Sequence, residues 1–154
     1  MEIIGIMHVL FSLIGLSYAF IIPKNWIDLY YLLGAFLVAL SWTLFKGECI
    51  ITVLYKKYKD PNYQIGENKT LDDVIGIFGQ EYESYVPLWI KFIMALQSYT
   101  IYLVLIRNQL NGWYAFVFFI YILGLTVTTS LLYQGFSFFL FLYILIKIIH
   151  KLWK

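Results

Sequence analysis

The sequence predicts an all-α fold, a polytopic helical bundle in a membrane, and three observations carry that expectation. The chain of 154 residues is 62% apolar and only 13% charged, against about 25% charged in soluble domains; its mean hydropathy is +0.77. So few charges leave too little polar surface to cover a soluble chain of this size. Uncharged stretches recur at the length of a membrane crossing, about 20 residues at ~1.5 Å each for a ~30 Å hydrocarbon core. Trp26, Trp42, Trp89, Trp113 and Trp153 all fall near the ends of those stretches, as interfacial aromatic anchors do.

The first span covers residues 3–22, with no formal charge and with His8, Ser12 and Ser17 as its main polar interruptions. Ser17-Tyr18-Ala19 imitates a signal cleavage site, but Glu2 stands where a basic n-region belongs, so the stretch reads as a membrane helix. Gly15 and Ala19 form a small-xxx-small pair that admits a close neighbour. After the polar turn Pro23-Lys24-Asn25, the second span covers 26–45 and closes an antiparallel hairpin. Ala35 and Ala39 repeat the small-residue spacing, and Asp28 is expected at the wet interface.

Residues 46–85 form the long polar interval. Ile50, Ile51, Leu54, Tyr55 and Tyr58 recur at helical spacing beside Lys56, Lys57 and Lys59, which predicts an amphipathic helix on the bilayer surface. The three lysines are the expected lipid-surface contacts. Asp60-Pro61-Asn62 breaks that helix. Thr70-x-x-Asp73 resembles a capping box for a second short helix with Leu71, Val74, Ile75 and Phe78 on one face, stopped by Gly79. The third span covers 86–106, with Pro87 in its first turn and Lys91 one turn inside, where it snorkels to the headgroups.

From Trp113 to Ile149 only Lys147 is charged, and two architectures compete. In one, a fourth span over 113–133 runs on as a long or kinked helix. In the other, the chain turns at Tyr133-Gln134-Gly135 and a fifth span covers 136–150. The charge rule favours four spans, because the N-terminus, the 46–85 loop and the basic tail with Lys147, Lys151 and Lys154 then share the cytosolic side. Asn68-Lys69-Thr70 matches a glycosylation sequon, expected to be unmodified in that orientation.

Net charge is +2, and no basic patch beyond Lys56-Lys57-x-Lys59 points to nucleic acid. No zinc-type ligand spacing, glycine-rich phosphate loop or Ser-His-Asp pattern occurs, and His8, His150 and Cys49 are the only histidines and cysteine. No cofactor or metal is implied. In this topology His8, Glu48, Cys49 and Lys91 all fall in one leaflet. They are the candidate catalytic residues, a polar cluster around a thiol that Lys or His would activate. Their bland reading is a helix-joining histidine, two headgroup-level charges and a cysteine packed as a small hydrophobe. Gln97, Ser98, Thr100, Thr126, Thr128, Thr129 and Ser130 bring polar groups to the later spans, either lining a pore or joining helices.

His8-x-x-Phe11, Trp42 and Cys49-x-x-Thr52 together resemble the motif set of an uncharacterised family of small multi-pass membrane proteins, best known from bacteria. The likeness covers roughly the first 52 residues; the family has Cys-Pro-Leu-Thr where this chain has Cys-Ile-Ile-Thr. It implies a helical-hairpin membrane fold and a shared role for His8 and Cys49, and no substrate.

The first functional expectation is a non-enzymatic structural or accessory subunit of a larger membrane assembly, contacting the bilayer and either protein partners or further copies of itself through the 46–85 loop and its helix faces. A Lys-, Ile- and Phe-rich, AT-biased composition suits an organellar complex or a viral membrane. The alternatives are a small membrane enzyme or redox protein using His8, Glu48 and Cys49, and an oligomeric channel or transporter.

Overall fold

The computed structural model describes residues 2–68, 70–127 and 131–153. Over these the chain forms seven α-helices and one 3-10 helix, with no strand. Helix α1 (Glu2–Ile21) ends just before Pro23, and the side chain of Asn25 accepts from the Ile27 amide to start α2 (Ile27–Leu44). Lys46 and Gly47 then take positive φ, and the Gly47 amide donates to the Trp42 carbonyl at 2.7 Å. This tight exit turns the chain into α3 (Ile50–Lys59). After a coiled stretch come α4 (Asp72–Phe78), the 3-10 turn Gln80–Tyr85 and α5 (Val86–Arg107). Gly79 stops α4 at φ 104°, as the sequence predicts. Helices α6 (Trp113–Val127) and α7 (Leu131–Leu152) complete the chain.

Among the described residues three helical segments are long and apolar enough to cross a membrane: Ile3–Ile21, Ile27–Leu44 and Gln80–Arg107. Their outward faces are apolar, with Phe11, Ile14, Leu37, Val38 and Phe92 exposed. Such surface suits lipid and would be costly in water.

The stretch after Trp113 is not one long helix. Phe118 and Tyr121 of α6 stack on Phe141 of α7 at 6.0 and 4.4 Å between ring centroids, whereas 23 residues of continuous helix would separate the first pair by about 34 Å. The two helices therefore fold back on each other. The turn does not fall at Tyr133-Gln134-Gly135 either, for these residues lie within α7. Phe36 of α2 meets both Phe118 and Phe141, and with Leu32, Ile101, Leu105 and Ile144 it forms the core of the bundle.

Polar groups inside the helices join them. Gln97 donates to the Tyr31 hydroxyl at 2.7 Å, which donates to the Gly15 carbonyl, and Thr100 donates to the Leu16 carbonyl at 2.9 Å. Thr128, Thr129 and Ser130 lie outside the described residues, as does the side chain of Thr126. Asp28, expected in water, is fully buried at the far end of α1, α2 and α5. Arg107 binds it through Nε at 2.7 Å and Nη2 at 2.5 Å, Asn108 donates at 2.7 Å and Tyr18 at 3.0 Å. A carboxylate with this many donors keeps its charge inside a protein.

Candidate functional site

At the opposite end of the bundle, Gly5 sets the geometry. Helix α4 crosses α1 so closely there that a Cβ on Gly5 would collide with the backbone carbonyl of Asp73. That approach brings Asp73 onto His8, one turn further along α1. Asp73 Oδ2 lies 2.6 Å from His8 Nδ1, and Thr52 of α3 donates its hydroxyl to Oδ1 at 2.8 Å. Asp73 is 1% exposed. Burial alone would raise its pKa, but hydrogen bonds from His8 and Thr52 outweigh that and hold the carboxyl below the usual range. The capping box expected of Thr70 and Asp73 does not form: Thr70 bonds Asp72 instead, and α4 begins without a side-chain cap.

Because a carboxylate only accepts, the imidazole donates to it from Nδ1. Cys49 lines the same cavity as His8. Cys49 is buried and sits as the N-cap of α3 with extended backbone, its thiol not engaged in capping. The first amides of a helix lack internal partners and carry its positive dipole end. The structure thus joins His8 to Asp73 and places His8 and Cys49 on one cavity wall.

This cluster forms part of the wall of a cavity of about 540 Å³ between α1, α3, α4 and α5. Trp42 borders it as well. The other four tryptophans are exposed, as anchors should be, but the indole Nε1–H of Trp42 is buried and has no acceptor among the described residues. Leaving such a donor unpaired costs about 1–3 kcal/mol. A shallower groove of about 450 Å³ between α5 and α6 has no acid, histidine or thiol on its wall.

Of the four candidates from sequence, His8 and Cys49 line this cavity, and Lys91 is exposed at its wall. Glu48 is turned elsewhere. Its carboxylate accepts from Lys56 at 3.1 Å, from the Tyr63 hydroxyl at 2.8 Å and from the Gly66 amide. Burial, then donation to Glu48, pushes the Tyr63 hydroxyl above its ordinary pKa. Lys56 also donates to the Asn68 carbonyl and is 4% exposed. It is therefore an internal fastening of the loop and not a lipid contact, while Lys57 and Lys59 remain exposed. Asp73 and Thr52 escaped the sequence reading as site residues. The available signals were an acid beside an apolar helical face and the threonine of Cys49-x-x-Thr52.

Fold and site together define a helical protein with three helical segments long and apolar enough to cross a membrane among the described residues, and a His8–Asp73 pair beside a cavity that Cys49 also lines. Comparison with protein-family models, curated proteins and solved structures gives no match.

Proposed function

We propose that the protein is a small membrane enzyme with a cysteine nucleophile, transferring an acyl group at the membrane surface. Cys49 attacks, His8 takes and returns the proton, and Asp73 orients His8. The observation that carries this proposal is His8 held by Asp73 and lining, together with Cys49, the wall of one cavity. Cys49 is the only cysteine, so thiol–disulfide exchange would need a second thiol from elsewhere, whereas attack on a carbonyl needs none. The N-terminus and the 46–85 loop face the cytosol in this proposal, with Lys46, Lys57 and Lys59 on that side.

The test is alkylation of Cys49 by iodoacetamide in the purified full chain. At neutral pH the wild-type thiol should react about tenfold faster than that of His8→Gln. Equal rates in two monodisperse, folded proteins would sink the proposal.

A separate observation favours a structural or accessory subunit. The Glu48–Lys56–Tyr63–Asn68 network folds the loop into a fixed cap over one end of the bundle, a surface suited to a protein partner. In that case Cys49→Ala keeps full function in the source organism, and a defined partner co-purifies in mild detergent.

A further inference from the structure

The four helices around the cavity are not held alike. Helices α1 and α5 are joined to the bundle by Thr100 on the Leu16 carbonyl and by Gln97 on Tyr31. Helix α3 is fastened by Lys56 through Glu48 and the Asn68 carbonyl. Helix α4 has only seven residues and begins without a side-chain cap, well short of the about 12–15 residues at which an isolated helix becomes even marginally stable in water. Among the described residues, its hydrogen bonds to other helices all run through one side chain, Asp73, to His8 and Thr52. Leu71 at its start and Ile75 one turn on form part of the cavity wall. Cys49 also lines that cavity and is only 8% exposed, so the space is covered. Gly79 ends α4 at φ 104°, a backbone conformation that side-chain-bearing residues rarely adopt.

We propose that α4 is a strap that closes this cavity, and that Asp73 is its latch. With both donors bound to the carboxylate, Leu71 and Ile75 are held over the cavity. Gly5 sets the closed position, because α4 rests there against α1 with no side chain between them. When the carboxylate lets go of His8 and Thr52, the short helix loses its support and turns about Gly79. That movement removes one wall and uncovers His8 and Cys49 from the side of the 46–85 loop. The inference goes beyond the cysteine-nucleophile proposal: Cys49 serves in it as a reporter of entry, and the strap governs entry whatever chemistry follows.

The experiment uses the full chain in lipid nanodiscs, where Cys49 is the only thiol. Two maleimides of different size, N-ethylmaleimide and fluorescein maleimide, share one reactive group. The ratio of their rates on Cys49 therefore reads the width of the entrance and cancels the reactivity of the thiol. Thr52→Val keeps the size of the side chain and removes one hydrogen bond from Asp73. It should raise the fluorescein-to-ethyl ratio by about tenfold, the equilibrium factor of a hydrogen bond to a charged group. Asp73→Ala, which removes both bonds, should raise it further. Hydrogen exchange of the amides of residues 72–78 should quicken in step with the ratio, while exchange in α1 and α5 stays at the wild-type rate. A ratio unchanged in Thr52→Val, or faster exchange of α4 without a change in the ratio, overturns the inference. So does a ratio that rises only together with exchange in α1 and α5, since that is a loosened bundle. Equal iodoacetamide rates in wild type and His8→Gln remove the nucleophile alone, and the maleimide ratio still decides for or against the strap.

Discussion

Asp73 concentrates the chemistry of this protein at the residue scale. It is a buried carboxylate with donors on both oxygens, from α1 and from α3, so its charge ties three helices together. Its carboxyl is held below the unfolded value of about 3.9. A depressed carboxylate contributes stability above the unfolded pKa and loses it as pH falls through the folded value. Docking of α4 should therefore persist at neutral pH and fail only in acid below about pH 4, as read by hydrogen exchange of the α4 amides. Thr52→Ala removes one donor to a charged group, which costs about 1.5–3 kcal/mol and moves that release to higher pH. Release of α4 unchanged in Thr52→Ala would contradict this account.

At the scale of the element, small residues decide which helices touch. Gly5 faces the α4 backbone with no room for a Cβ, whereas a Cβ on Gly15 would meet only Gln97 Oε1 at 3.4 Å. Gly5→Ala should displace α4, cost about 1–3 kcal/mol and slow Cys49 alkylation to the rate of His8→Gln. Gly15→Ala should leave alkylation close to wild type; the two variants behaving alike would refute the assignment. Helix α3 divides its faces differently from the simple amphipathic expectation. Thr52, Val53, Tyr55 and Lys56 turn inward, while Ile50, Leu54 and Tyr58 are exposed at i, i+4 and i+8 with Lys57 and Lys59 beside them. An apolar stripe flanked by lysines is what a helix lying on a bilayer presents. The fastening role falls to the opposite face.

Across the whole molecule, two polar clusters cap an apolar core. Asp28 with Arg107 closes one end, and Asp73 with His8 closes the other. The reversal between α6 and α7 returns the chain toward the Arg107 end, so Lys147, His150 and Lys151 lie away from the 46–85 loop. That removes the shared side on which the four-span charge count relied, and Asn68 becomes the direct reporter of orientation. With Cys49 replaced by alanine, single cysteines at Lys59 and Lys151 should label from opposite faces of sealed vesicles. Labelling of both from one face would restore the four-span arrangement. A glycan on Asn68 would place the loop outside the cytosol.

Hydropathy, tryptophan placement and glycine punctuation were enough, by themselves, to determine the all-helical class, the first three long apolar helices and the two short helices of the loop. Each of these follows from local pattern, because a residue's neighbours in sequence fix the helical face it occupies and the solvent that face requires. His8 and Cys49 were legible as polar residues of one leaflet for the same reason. Tertiary structure alone decided the rest. The fold-back after α6 has no charge or proline in the sequence to mark it, and aromatic stacking of Phe118, Tyr121 and Phe141 specifies it. Lys56 looked like its lysine neighbours until Glu48 and Tyr63 enclosed it. Asp73 joins His8 across 65 positions of sequence, a contact that no local period encodes and that exists because Gly5 lets two helices approach.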